Sequence, residues 1–394
     1  MPCATIAPWR RAVAARVFCG QLVIHLIHTA DWQIGRQYGQ FDTDDAAMLA
    51  EARYAAVARI AALAAERRAD AVLVAGDVFD TQAVSDRSIR RLFDALSAYA
   101  GPWVLIAGNH DAALADSVWS RAQQLGCIGA NVHVPLRPGV VDLPGLNLAV
   151  LAAPLTQRHT YDDTTAVFDT LATEPGRTRV GLAHGSVAGR LPDAVDSANP
   201  IAADRAARAR LDYLALGDWH GCLQIDARTW YAGTPEPDRF RANASGCVLD
   251  VRLPGAGAEP LVETLPVAQY RWANWAESLS LPSDAESLAH RLQAVGADDV
   301  LRLELSGQLP LDTWDALQEA IARAAARTRA LLLDAAGVSL APDAQDLAAP
   351  GASGYVSEVA AQLQALQEDP AQAPAARQAL RLLVQFQRER AEAP

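Results

Sequence analysis

The chain has 394 residues, 51% of them hydrophobic and 20% charged, the balance of a soluble globular protein with two or three domains. No apolar run approaches the roughly eighteen residues of a bilayer span, which excludes a helical membrane protein and predicts a soluble one with no membrane association. The formal net charge is −12 and all 34 basic residues are arginine; this argues against a tight stand-alone DNA clamp, because such clamps depend on neutralising phosphates, but not against a nuclease whose bound metals supply the local positive charge.

Residues 1–22 carry Arg10, Arg11 and Arg16, and Arg16 interrupts the apolar core a signal peptide would need, so the stretch is expected to be a disordered extension or an overlong start. From 23 to about 187, short β-branched or apolar runs alternate with helical stretches. Residues 23–30 read as a buried strand, and 45–68 as a helix with Leu49, Ala52, Ala56, Ile60 and Leu63 on one face. Strands at 71–75 and 103–107 follow, separated by a helix at 88–99. This is βαβ grammar, which places strand-end residues at the usual ligand crevice.

Beyond residue 131 the runs shorten and Gly and Pro turns multiply, with strands at 140–143, 146–152, 180–183, 213–216 and 248–253. They predict a second, more antiparallel sheet packed on the first, so that a catalytic domain spans 23–266. Residues 267–338 repeat the α/β pattern on a smaller scale, as a capping domain. In it, a capping box at Ser283 and Glu286 opens a helix through Val295, Leu301, Leu303 and Leu305 alternate with Arg302 and Glu304, and a helix at 313–325 and a strand at 330–334 follow. A Pro-, Gly- and Ala-rich linker covers 339–354, and residues 355–394 form a tail of two amphipathic helices marked by Val356, Val359, Leu363, Leu366, Leu380, Leu383 and Val384. Such helices either dock back on the domain or bind a partner helix.

The cysteines, Cys3, Cys19, Cys127, Cys222 and Cys247, are odd in number and lack C-x-x-C spacing. Neither a disulfide framework nor a thiolate zinc site is expected, and a reducing cytoplasm fits best.

Five segments carry the chemistry: Asp31-Trp32-Gln33, Gly76-Asp77-Val78-Phe79-Asp80, Gly108-Asn109-His110-Asp111, Ala183-His184-Gly185 and Gly217-Asp218-Trp219-His220. Each closes an apolar run, so carboxylate, amide and imidazole groups converge without being neighbours in sequence. Asp77 can bridge two cations, Asn109 offers a carbonyl oxygen, and His110, braced by Asp111, can donate a proton to a phosphate oxygen. A lone histidine after a strand is usually a core or surface imidazole; five such segments with complementary ligand types are not coincidence. Trp32 and Trp219 suit packing better than base stacking, and Arg36, Arg239 and Arg241 are surface arginines by default.

These segments resemble the calcineurin-like metallophosphoesterase superfamily, with its D-x-H, G-D, G-N-H-D/E, lone His and G-H-x-H motifs. His28-Thr29-Ala30-Asp31-Trp32 and Tyr231-Ala232-Gly233-Thr234-Pro235-Glu236-Pro237 are most similar to the SbcD-type branch, nuclease subunits that pair with SMC-like ATPases in DNA repair. The resemblance covers 23–266 and implies an α/β two-sheet β-sandwich flanked by helices, with two divalent metal ions. It implies Asp31, Gln33, Asp77 and His220 around the first metal and Asp77, Asn109, His184 and Asp218 around the second. His110 would be the acid beside the scissile phosphate and Asp111 its orienting partner, in an in-line attack by a metal-activated hydroxide. The implied function is a DNA exo- or endonuclease with an SMC-like coiled-coil ATPase as partner, a homodimer being compatible.

Gln33 stands where the first motif has His, and Asp218 where the last has its first His. Both exchanges replace nitrogen by oxygen, favouring Mn²⁺, with Mg²⁺ or Fe next, over Zn²⁺. Two other readings are a phosphodiesterase acting on a small nucleotide or other phosphoester, which the acidic charge favours, and a scaffold whose altered ligands cost it catalysis.

Overall fold

The structure, a computed structural model, describes residues 17–18, 21–191, 199–341 and 354–392. Most of the expected linker lies outside the described residues. Of the N-terminal stretch, Val17–Phe18 and Gln21–Leu22 pair as short antiparallel strands.

The chain forms two compact units: one of residues up to Tyr38 with Met48–Glu236 and Asn243–Ala268, the other of Gly39–Ala47, Pro237–Ala242 and Gln269–Pro394. The first holds two six-stranded sheets. In its first sheet, β1 (Ile24–Thr29), β2 (Ala71–Val74), β3 (Trp103–Leu105) and β4 (Val132–His133) run parallel. Helices α1 (Thr43–Arg67), α2 (Asp86–Ala95) and α3 (Val118–Gln124) connect them. The second sheet contains β5 (Gly139–Asp142), β6 (Leu148–Ala153), β7 (Thr178–His184), β8 (Tyr213–Gly217), β9 (Leu223–Gln224) and β10 (Thr229–Tyr231). Strands β11 (Cys247–Leu253) and β12 (Leu261–Pro266) return to the first sheet, antiparallel beside β1.

The second sheet is not the more antiparallel one that was expected. Its centre, β6, β7, β8 and β10, is parallel, and only β5 and β9 pair antiparallel at its edges, as β11 and β12 do in the first sheet. Apolar periodicity reports burial, not strand direction; short turns only suggested hairpins.

Alternation along the strands builds the layers. Leu26, Leu73, Val104, Val150, Leu182 and Ala215 pack between the sheets, while Ile27, Val72, Val74 and Trp103 face Val57, Ile60, Ile89 and Leu92 of the helices. His28 stitches β1 to β8. Its Nε2 donates to the Leu216 carbonyl at 3.2 Å and its Nδ1 accepts from the Tyr213 hydroxyl at 2.9 Å, and burial pushes its pKa down to about 3.

The second unit is a parallel three-stranded sheet of β13 (Arg271–Leu279), β14 (Asp299–Pro310) and β15 (Ala330–Ala341), linked by α4 (Pro282–Leu292) and α5 (Leu311–Ala325). Leu301, Leu303 and Leu305 are buried as the alternation predicts. The expected capping box at Ser283 does not form: α4 starts at Pro282, and the Asp284 carboxylate accepts from the backbone of Ser280 and Leu281. Proline preorganised in the first helical turn sets the start.

The tail forms α6 (Gly354–Ala365) and α7 (Ala373–Glu392). Ala360, Leu380 and Val384 join the core of this unit with Leu279, Leu303 and Trp314. The Gln367 amide bonds both backbone groups of Leu340, at 2.8 and 3.0 Å, and Arg377 Nη1 donates to the carbonyls of Ala335 and Val338. The helices therefore dock on the appendage. Among the described residues, no helix is long and apolar enough to cross a membrane.

Candidate metal centre

Parallel strands end on one side, and that side collects all five predicted segments. Asp31–Gln33, Gly76–Asp77 and Gly108–Asp111 follow the adjacent strands β1, β2 and β3; His184 ends β7 and Asp218 follows its neighbour β8. The first two loops continue to pair beyond their strands: the N–H groups of Asp31, Gln33 and Ile34 donate to the carbonyls of Gly76, Asp77 and Val78 at 2.9–3.0 Å.

Asp31, Gln33, Asp77 and Asp218 all have left-handed backbones, with φ of 52°, 50°, 51° and 99°. For residues with a Cβ this costs roughly 1–2 kcal/mol each, and such strain persists where surrounding bonds over-determine it. Here it turns four side chains toward one point. Close approach explains two glycines: a Cβ at Gly76 would lie 2.4 Å from His184 Nδ1, and one at Gly108 2.3 Å from Asp77 Oδ1.

His184 organises the centre. Its Nδ1 donates to the Ala75 carbonyl at 2.8 Å, turning Nε2 toward Asn109 Oδ1 at 3.0 Å, Asp77 Oδ1 at 3.5 Å and Asp218 Oδ1 at 3.6 Å. Asp31, Asp77 and His184 each offer a ligand atom within 4.8 Å of the others, and all three are buried. Asp31 accepts from the Asp218 N–H at 3.1 Å, and the field of His220 reaches its carboxylate. Gln33 donates from Nε2 to Asp77 Oδ2 at 2.7 Å, while its Oε1 is buried without a hydrogen-bond partner.

The electrostatics are those of a site short of positive charge. Burial raises Asp31 to about 6, with Asp77 adding to the rise and the two histidines opposing it. Burial, then the charge of Asp77, raises Asp111 to about 7. Burial would lower His184, but the carboxylates of Asp77, Asp218 and Asp31 hold it at about 9. Clustered buried carboxylates, an orphaned amide oxygen and an imidazole nitrogen aimed among oxygens fit divalent cations and mixed oxygen and nitrogen ligation.

His110 sits at the rim, about one third exposed, with Nε2 4.0 Å from Asp77 Oδ2. Its backbone N–H donates to Asp77 Oδ1 at 2.9 Å, and its Nδ1 donates to the Asp80 carbonyl at 2.8 Å. Asp111 was expected to brace this ring. Instead its carboxylate accepts from Gly108 N at 2.7 Å and Phe79 N at 3.1 Å, tying the second loop to the third. The ring is oriented by the backbone of Asp80, a residue to which the sequence pattern assigns no role.

Trp32 is fully buried, donates to Thr29 Oγ1 at 3.0 Å and packs edge-on against Trp103, which leaves no face for a base. Arg36 and Arg239 pair with Asp80 and Asp238. Two supporting groups lie outside the five segments. The Tyr231 hydroxyl donates to the Gly185 carbonyl at 2.7 Å beside His184, and Arg53 is buried on α1. Arg53 left a signal in the sequence, a charge on the apolar face of the predicted helix.

Residues 24–194 match the calcineurin-like phosphoesterase family. The chain is 30% identical over 267 residues to the DNA double-strand break repair protein Mre11 of Aeropyrum pernix, covering 62% of each protein. It is 39% identical over 95 residues to the SbcD component of the SbcCD nuclease of Rhodobacter capsulatus, 23% of this chain and 22% of that one. Both alignments span less than two thirds of the relative's length. A crystal structure of a Thermus thermophilus protein superposes with a TM-score of 0.41 at 13% identity, covering 62% of this chain and 99% of that one. Residues 24–194 are thus similar to the calcineurin-like phosphoesterase family, with a distant sequence likeness to the Mre11 and SbcD nucleases.

Proposed function

We propose that the protein is a two-metal phosphoesterase that cleaves the phosphodiester backbone of DNA, as a repair-type exo- or endonuclease. The observation that carries the reading is the convergence of Asn109, Asp77 and Asp218 oxygens on His184 Nε2. Asp77, Asn109, His184 and Asp218 would hold one divalent cation and Asp31, Gln33, Asp77 and His220 the other. Such a pair, when bound, supplies Lewis acidity at the phosphoryl oxygens and a nucleophile at neutral pH.

The chain's own residues supply the rest. With Nδ1 fixed on the Asp80 carbonyl, His110 keeps Nε2 for proton exchange with a phosphoryl or departing oxygen. Asp111 keeps the loops that carry Asp77 and His110 in register. The oxygen donors Gln33 and Asp218 favour Mn²⁺, with Mg²⁺ or Fe next.

DNA as substrate is supported by the likeness to the DNA double-strand break repair protein Mre11, and nuclease action by the likeness to SbcD. A coiled-coil ATPase partner fits α7, which shows a second apolar stripe, Ala375, Ala379, Leu382 and Phe386, turned away from its docked face; Leu382 is 41% and Phe386 60% exposed. The free thiols of Cys127, Cys222 and Cys247 suit a reducing cytoplasm. The net charge of −12 favours a second reading, a phosphodiesterase on a small nucleotide or similar ester.

Hydrolysis with Mn²⁺ of single-stranded DNA, duplex ends and a bis-aryl phosphodiester separates the readings, with Asp77→Asn as the inactive control. DNA cleavage supports the nuclease. Hydrolysis of the diester alone supports the second reading, and inactivity on all three overturns both.

A further inference from the structure

Arg53 is 2% exposed, and its guanidinium joins the loop that carries Asp31 and Gln33 to the stretch that follows β10. Nη1 donates to the Trp32 carbonyl at 2.8 Å, between Asp31 and Gln33, and to Thr234 Oγ1 at 3.2 Å. Nε donates to the Tyr38 hydroxyl at 2.9 Å, which fixes the plane of the fork.

Thr234 is itself tied to His220. Its backbone N–H donates to the His220 carbonyl at 3.0 Å, its hydroxyl donates to the Glu236 carbonyl at 2.9 Å, and its own carbonyl accepts from Gly246 N at 2.8 Å. The preceding Gly233, at φ +73°, lies so close that a Cβ there would sit 2.6 Å from Gly221 C and 2.8 Å from the His220 oxygen. The Tyr231–Glu236 stretch is thus a rigid bracket under the last motif.

Asp31 and Gln33 follow β1 of one sheet, whereas His220 follows β8 of the other. One guanidinium joins the two through Trp32 and Thr234. The His184 ring and the loops of Asp77 and Asn109 have separate anchors, the carbonyl of Ala75 and the Asp111 bonds to Gly108 and Phe79, whereas Asp218 bonds to Asp31 and shares the loop of His220.

We propose that Arg53 is a positioning residue for the site formed by Asp31, Gln33 and His220, holding those ligands in register across the two sheets while leaving the His184 site mainly to its own anchors. The proposal rests on the two-metal reading above. Nη1 serves both Trp32 and Thr234 while Nε, bonded to Tyr38, holds the plane that aims it; a lysine ammonium keeps the charge but has no fixed plane and no second nitrogen for Tyr38. Losing a group that orients metal ligands typically costs about 10–100-fold in metal affinity.

The test is Mn²⁺ binding to the metal-stripped full chain, by equilibrium dialysis with elemental analysis and by calorimetry, in the native protein, Arg53→Lys and Thr234→Val. The native protein is expected to take up two ions. Each variant should bind one with native affinity and the other about 10–100-fold more weakly, with native circular dichroism. Thr234→Val removes the Oγ1 acceptor, together with the hydroxyl's bond to the Glu236 carbonyl, at similar volume and decides the matter where Arg53→Lys does not fold. Native affinity for both ions in the variants overturns the proposal, as does a parallel loss of both ions together with Tm, which marks a general structural role. Fewer than two ions on the native chain overturns the two-metal reading itself, and this proposal with it.

Discussion

Gln33 Nε2 donates to Asp77 Oδ2 at 2.7 Å, so the residue that departs from the family's first motif is bonded to the carboxylate expected to bridge two cations. The other end of the amide, Oε1, is buried and without a hydrogen-bond partner. An amide oxygen is a hard, neutral donor, whereas imidazole suits zinc. Gln33→His is therefore expected to shift the Zn²⁺-to-Mn²⁺ affinity ratio toward zinc on the order of tenfold, read by chelator competition. An unchanged ratio would place Gln33 outside the ligand set.

His110 approaches Asp77 with both its backbone and its ring, but its Nε2 is 4.0 Å from the carboxylate and partly exposed. That position suits the proposed role of a group that would meet substrate rather than hold the ion. His110→Ala is expected to lower turnover by about 10²–10⁴-fold while leaving metal content at the native value. Loss of metal in parallel with activity would make His110 a ligand.

Metal removal should change how stability depends on pH. In the metal-free chain burial raises Asp31 to about 6 and Asp111 to about 7, and the neighbouring carboxylates, overcoming burial, raise His184 to about 9. All three folded-state values lie above the unfolded ones, so the folded chain binds more protons between roughly pH 4 and 9. Their contribution is complete at the acid end of that window and disappears as pH rises through it. Bound cations take over the role of those protons, so the rise in Tm on adding Mn²⁺ is expected to grow from pH 5 to pH 9 in differential scanning calorimetry. A constant or shrinking increment would contradict a carboxylate-rich metal site.

The convergence of these side chains was legible because each candidate residue follows an apolar run, and parallel strands bring such ends together whatever separates them in sequence. What could not be read depended on direction or on contacts distant in the chain. The direction of β7 and β8 is not encoded in their burial, and it reversed the expected character of the second sheet. Strand β13, whose residues from Arg271 to Ser278 are all exposed or half-buried, has no apolar face strong enough to announce itself. Asp111 looked like the neighbour that orients His110, yet the fold spends both its oxygens on backbone donors and gives the ring to Asp80. The docked and outward stripes of α7 interleave on one helix, so the sequence pattern alone left docking and partner binding equally open.

His28 offers a separate check on how the two sheets are joined. It is fully buried, and its pKa is pushed down to about 3 by burial, against the smaller upward pull of the Leu216 carbonyl. The Nε2 proton is donated to that carbonyl and Nδ1 accepts from Tyr213, so only the neutral ring satisfies both partners. A histidine whose folded-state value lies below the unfolded one stabilises the fold above about pH 6.5 and loses that contribution as pH falls toward 3. Between pH 7 and pH 4 the loss amounts to about 3 kcal/mol. His28→Gln can keep a donor and an acceptor but does not titrate. The stability advantage of the native chain over this variant, from urea denaturation at each pH, should therefore shrink by about that amount from pH 7 to pH 4. A gap that stays constant would mean that the ring is protonated in the folded state or that the sheets are joined elsewhere.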